Sequence, residues 1–178
     1  MDGLWTLSES CNGNETSSPR RHQRDRTFMV GIALQESLVG TWKLLSREDV
    51  TSDGERRVDP VLGSDPIAYL MYDAAGHFAV QFMRRDREFT RGAGGRAPLR
   101  SANNTGAING YDAYFGRYTV EADGIVTQEL VGALSPGDVG KVVTRRFQVH
   151  GAELVIDLET TASDGTPVTR TLRWQRVA

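Results

Sequence analysis

The run Lys141-Val142-Val143-Thr144-Arg145-Arg146-Phe147-Gln148-Val149-His150-Gly151-Ala152-Glu153-Leu154-Val155-Ile156-Asp157-Leu158-Glu159-Thr160-Thr161 decides the fold. Its first half sets Val143, Arg145, Phe147 and Val149 on one face and Val142, Thr144, Arg146 and Gln148 on the other. That period of two is the pattern of a β-strand. His150-Gly151 then supplies turn chemistry, and Leu154, Ile156 and Leu158 resume the alternation opposite Asp157 and Glu159. Two such runs across a tight turn predict an antiparallel hairpin.

The same reading extends in both directions. Strands are predicted over Thr41–Val50, Ile67–Asp73, His77–Arg84, Ala113–Glu121, Ile125–Ala133, Lys141–Val149, Glu153–Thr161 and Pro167–Arg176. Asp73-Ala74-Ala75-Gly76, Ala122-Asp123-Gly124, Ser135-Pro136-Gly137-Asp138 and Ser163-Asp164-Gly165 mark the joints. Connections this short suit antiparallel neighbours and exclude parallel crossovers. The expectation is an all-β protein: an eight-stranded antiparallel up-and-down barrel, because closure removes both sheet edges. A barrel of that size has an interior that holds one small ligand. Residues Ile32–Val39 are expected to form a short N-terminal helical cap.

Two segments depart from the pattern. Residues 1–28 are polar and turn-rich, then carry the basic run Arg20-Arg21-His22-Gln23-Arg24-Asp25-Arg26 without apolar periodicity, and read as a disordered tail. The domain is expected over 29–178. The apolar stretch Phe28–Leu34 is broken by Gln35-Glu36 and lacks a small-residue cleavage site, which argues against a signal peptide. Between Arg84 and Ala113 lies a long connection rich in Arg, Gly and Asn, including Arg91-Gly92-Ala93-Gly94-Gly95-Arg96. A loop of that length in a compact domain is functional or disordered, and the expectation is a lid over the mouth or a short helix.

Composition narrows the chemistry. The chain has 178 residues, 39% hydrophobic and 25% charged, with a net charge of −2, so no overall field draws it to nucleic acid. No apolar run reaches membrane-spanning length. Cys11 is the only cysteine, which excludes an intramolecular disulfide, and His22, His77 and His150 show no metal-ligand spacing. The glycine run lacks the Lys-Ser/Thr of a phosphate loop. No cofactor and no metal are expected, the predicted location is the cytoplasm, and a homodimer is allowed. The chemistry left is that of hydroxyls, carboxylates, arginine and shape.

Gly40-Thr41-Trp42-Lys43-Leu44, the hairpin Tyr69–Phe78 and the run Tyr111-Asp112-Ala113-Tyr114-Phe115-Gly116-Arg117-Tyr118-Thr119-Val120, followed by Thr171-Leu172-Arg173-Trp174, occur in an order that resembles the microbial lipocalin-like domain family. The resemblance covers Leu38 to Val177. It implies a small-molecule pocket inside a calycin-type barrel and leaves activity open, since related barrels include both binders and cofactor-free cyclases. Fold analogy alone does not assign a reaction.

Alternation supplies the candidate site. If Trp42 is core, Leu44, Ser46 and Glu48 follow it inward; Tyr114, Gly116, Tyr118 and Val120 share a face, as do Leu172 and Trp174. His77, Ala79, Gln81 and Met83 share one face of their strand and Phe78, Val80 and Phe82 the other, so that register stays open. Arg145 is the notable case: a cation among apolar inward positions needs a carboxylate, a ligand anion or an aromatic face. Either it binds a carboxylate, enolate or carbonyl of a ligand, or it pairs with Glu48 or Glu129 or stacks on Trp42 or Trp174. The candidate catalytic residues are Glu48, Tyr118 and Arg145; the candidate ligand-binding residues are Trp42, Gln81, Met83, Tyr114, Phe147 and Trp174. His77 is a weaker acid/base candidate near a rim. Ala79, Gly116 and Gly132 suggest space inside the barrel. The expected function is binding of a small hydrophobic molecule, an intermediate of secondary metabolism, with a cofactor-independent cyclase or isomerase as the alternative.

Overall fold

The computed structural model describes residues 31, 33–87 and 103–178. The expected tail over 1–28 and the glycine run of the long loop lie outside these residues. The strands are β1 Gly40–Val50, β2 Arg56–Arg57, β3 Ile67–Tyr72, β4 His77–Met83, β5 Tyr111–Val120, β6 Ile125–Ala133, β7 Val142–His150, β8 Glu153–Thr161 and β9 Pro167–Arg176. A short helix, α1, covers 33–38.

The sheet runs β2-β1-β3-β4-β5-β6-β7-β8-β9, every pairing is antiparallel, and β1 also pairs with β9. β1 and β3–β9 therefore close an eight-stranded barrel, and the two-residue β2 is an addition beside the second half of β1. The expected barrel and helical cap are both present. β2 is too short for a periodic pattern to reveal it.

One end is sealed. Trp42 and Leu38 are fully buried, and Trp42 Nε1 donates to the Leu38 carbonyl at 2.9 Å. The Arg176 guanidinium lies 4.1 Å from the centroid of the Trp42 ring and donates to the Val39 and Ser37 carbonyls. A cation that caps the last carbonyls of a helix suits both its orphan acceptors and its dipole. The other end carries the long connections, and residues 103–106, at the end of the connection between β4 and β5, are bonded across it.

Two bulges shape the wall. In β1 the register with β9 shifts between Leu44 and Ser46. One extra residue reverses the faces that strict alternation assigns. Trp42 and Leu44 stay inside, but beyond the shift Asp49 is buried and Glu48 points out. At the same place β1 leaves β3, their last pair being Lys43 and Tyr69. In β5 the register with β6 shifts between Phe115 and Gly116. A Cβ at Gly116 would stand 1.8 Å from the Glu129 carbonyl oxygen, so only glycine fits. Gly132 likewise makes room for the Phe115 ring on the outer face. These glycines serve backbone approach and outer packing, which replaces the expectation that they leave interior space.

Candidate ligand site in the barrel

A cavity occupies the half of the barrel away from the seal. The void between its atoms, open mouth included, is about 1020 Å³. Leu70, Val80, Phe82, Ile156, Leu172 and Trp174 supply apolar wall, while β5, β6 and β7 contribute Asp112, Tyr114, Gln128 and Arg145. A mostly apolar cavity with a few convergent polar groups is the usual form of a small-molecule site.

Arg145 faces inward because Val143 and Phe147, on either side of it in the alternation, are core residues, and it is only 7% exposed. Its Nη1 donates to Gln128 Oε1, and Gln128 Nε2 donates to the Tyr72 hydroxyl at 2.8 Å. The guanidinium carbon lies 5.9 Å from the centroid of the Tyr114 ring. Among the described residues it makes no ion pair. The expected structural pairing with Glu48 or Glu129 is absent: Glu48 is on the outside, 3.4 Å from Arg56, and Glu129 is exposed. Stacking is on Tyr114, not on Trp42 or Trp174. Burial holds the Tyr72 and Tyr114 hydroxyls above the ordinary tyrosine range, while the Arg145 charge pulls both down. Both hydroxyls are therefore neutral donors at physiological pH.

The β1–β9 side of the cavity is charged but internally paired. Arg170 grips Asp49 with both members of its fork at 2.7 Å, and its Nη1 donates to Asn104 Oδ1 at 3.0 Å. Arg47 Nη2 meets Asp59 at 2.7 Å and Asp49 at 3.3 Å. The Arg47 charge and three hydrogen bonds hold the Asp59 carboxyl below its ordinary value against the opposing effect of burial. Burial and the neighbouring Arg170 lower Arg47.

The end of the long connection is tied over this half. Asn103 donates to the carbonyls of Thr144 and Glu159, the Asn104 carbonyl accepts from Lys141 Nζ, and the Gly106 amide donates to Asp138 Oδ2 at 2.8 Å. Thr105 Oγ1 donates to Asp112 Oδ2 at 2.6 Å. Burial raises the Asp112 carboxyl, the Thr105 bond lowers it, Asp138 raises it, and Arg145 lowers it.

The structure sorts the sequence-based candidates. Arg145, Tyr114 and Trp174 line the cavity together. Trp42 belongs to the sealed end, and Phe147 packs in the core with its ring 6.0 Å from that of Tyr72. Tyr118 is buried, but its hydroxyl donates to the Asp73 carbonyl at 2.9 Å, at the β3–β4 turn. Glu48 faces outward because of the β1 bulge, which corrects its inward placement. Gln81 and Met83 are corrected too: β4 buries Phe78, Val80 and Phe82, so the opposite face is outside, where Gln81 Oε1 accepts from the Tyr111 hydroxyl at 2.7 Å. His77 is exposed and bonded to Asp73.

Sequence reading missed Arg170, Asp112, Arg47 and Asp49. Arg170 stands between Val168 and Leu172 just as Arg145 stands between Val143 and Phe147, so the same signal was present. Asp112 precedes Tyr114 by two residues and shares its face. Arg47 and Asp49 carry no such signal, because the bulge hides their orientation. Among the described residues, no three His, Cys, Asp or Glu side chains converge as metal ligands, and no helix is long and apolar enough to cross a membrane.

A closed, eight-stranded antiparallel meander with a helical plug at one end and a partly polar cavity at the other is a calycin-type barrel. The family profile described as a lipocalin-like domain matches residues 39–177. The chain belongs to that lipocalin-like family, as the order of its glycine, tryptophan and tyrosine motifs suggested. A comparison with curated proteins finds no match.

Proposed function

We propose that the barrel binds one small hydrophobic organic molecule bearing a carboxylate, enolate or carbonyl oxygen, and that Arg145 receives that oxygen. The observation that carries the reading is Arg145 itself: a cation 7% exposed, in a cavity, in contact with an amide and a ring and in no ion pair among the described residues, with Asp112 the carboxyl that acts on it from farther off. Burying a cation this way is costly unless an anion or strong acceptor arrives to share it. The apolar walls take the rest of the ligand, and Tyr114 adds a neutral donor beside Arg145. An intermediate of secondary metabolism, held in the cytoplasm without a cofactor, fits this chemistry of ring systems and single polar groups.

The test is native mass spectrometry of freshly purified protein, followed by tryptophan-fluorescence titration with hydrophobic acids and polyketide-like ketones, since Trp174 lines the cavity. Bound mass or saturable quenching in the wild type, lost in a folded Arg145→Met variant, supports the reading. Absence of both across the panel refutes it. The cyclase or isomerase alternative draws on the same Arg145, whose fixed charge would stabilise a developing enolate. It loses Glu48 as base and Tyr118 as acid, because one faces outward and the other is bound to the backbone.

A further inference from the structure

Asp112 presents to the cavity an oxygen, Oδ1, that has no side-chain partner among the described residues. The residue is 4% exposed; its Oδ2 is taken by Thr105, and its Oδ1 is buried with no hydrogen-bond partner among the described residues. It lines the same cavity as Arg145, on the strand that also carries Tyr114. On the facing strand, β9, Trp174 Nε1 is a buried donor equally without a partner. Arg47 Nη1 and Arg57 Nε, also on the cavity lining, are further donors without a partner among the described residues, so Asp112 Oδ1 is the one acceptor in this set. Buried polar atoms are nearly always satisfied, and an idle acceptor facing idle donors around one cavity indicates what fills it.

We propose that Asp112 Oδ1 accepts a hydrogen bond from a hydroxyl of the bound molecule, so that the ligand class is a compact hydroxylated acid or ketone and not a plain apolar one. This rests on the reading of Arg145 as the donor to the ligand's carboxylate, enolate or carbonyl oxygen. The two groups then divide the ligand between them: Arg145 takes an oxygen that only accepts, and Asp112 takes an O–H. Burial raises the Asp112 carboxyl while the Arg145 charge and the Thr105 bond oppose it, and a carboxylate at this position offers Oδ1 only as an acceptor. An apolar acid satisfies Arg145 but strands Asp112 Oδ1 and Trp174 Nε1 in a dry wall. A cavity with such groups rejects an analogue lacking the hydroxyl far more strongly than an apolar cavity rejects an extra methylene.

Calorimetric titration of the full chain with positional isomers of hydroxynaphthoic acid, the matching methoxynaphthoic acids and unsubstituted naphthoic acid tests this. The methoxy group accepts but does not donate, so it isolates the O–H. At least one hydroxy isomer should bind about tenfold more tightly than its methoxy partner. Asp112→Ala, which removes the acceptor, should reduce that preference severalfold, each affinity being read against that of unsubstituted naphthoic acid in the same variant because loss of the carboxyl also changes the field at Arg145. If every hydroxy and methoxy pair binds alike in the wild type, or the preference survives in Asp112→Ala, the inference falls. The Arg145 reading still stands in that case if Arg145→Met abolishes binding of unsubstituted naphthoic acid. No binding of any probe overturns both. The wild-type comparison decides the donor question even if Asp112→Ala does not fold.

Discussion

On the β1–β9 side of the cavity, Arg170 meets both oxygens of Asp49 at 2.7 Å, and Arg47 bridges Asp49 and Asp59. Across the same cavity, on the β5–β7 side, Arg145 meets Gln128 and the face of Tyr114. Both arginines are 7% exposed and both come from the inward face of a strand. The difference is in what each would lose: Arg170 is locked in an ion pair and holds the mouth together, whereas Arg145 makes no ion pair among the described residues, feels Asp112 only at longer range, and keeps its capacity for a partner from outside. Burial alone does not distinguish a structural cation from a binding one; the account of its counter-charges does.

Removing Arg170 tests that difference most severely. Arg170→Met leaves Asp49 buried with only the longer contact from Arg47, and urea unfolding should show a loss of about 3 kcal/mol. Arg145→Met comes next and should act on binding, with Kd raised at least about tenfold for a ligand that engages the guanidinium. Its folding stability should fall by less than that of Arg170→Met, because Arg145 gives up the hydrogen bond to Gln128 and the face of Tyr114 but no ion pair. Equal destabilisation by the two variants would break the comparison.

Asp112 gives a smaller effect with a definite sign. Its folded value lies above the unfolded one, near 3.9. The native state therefore binds the proton more tightly, and the stabilisation from this group is complete below the unfolded value. It is lost as pH rises through the folded value. Asp112→Asn should flatten this component of the pH dependence of Tm, measured by circular dichroism from pH 4 upward. A steeper fall in the variant would contradict the burial of the carboxyl. Glu48→Gln should be the mildest change, below about 0.5 kcal/mol, since an exposed pair with Arg56 is all it gives up. The same variant should leave ligand affinity unchanged by calorimetry.

The barrel was legible because its strands alternate cleanly and its turns carry Asp, Asn, Ser and Gly where the chain must reverse. The same alternation placed Arg145, Tyr114 and Trp174 inside. Its failures have separate causes. β4 has apolar side chains on both faces, and the bulky set Phe78, Val80 and Phe82 took the interior, turning Gln81 and Met83 out. In β1 an extra residue between Leu44 and Ser46, marked by no glycine or proline, exchanged Glu48 for Arg47 and Asp49. Tyr118 was placed on the correct face, but alternation does not register depth along the barrel, and its hydroxyl ends at the β3–β4 turn. Arg170 needed no new rule, only the one applied to Arg145.

The parting of β1 from β3 after Lys43 has a kinetic consequence. The ladder also ends between β7 and β8 beyond Arg146 and Asp157, but there Asn103 bridges the Thr144 and Glu159 carbonyls, whereas residues 51–66 cover the β1–β3 seam with loop structure and the short β2. Opening that cover breaks few ladder bonds, so native-state amide exchange should be faster there than in β9, which pairs along its length with both β8 and β1. Solvent, and with it a small solute, then has a lateral route to the cavity that leaves both the sealed end and the tied mouth intact.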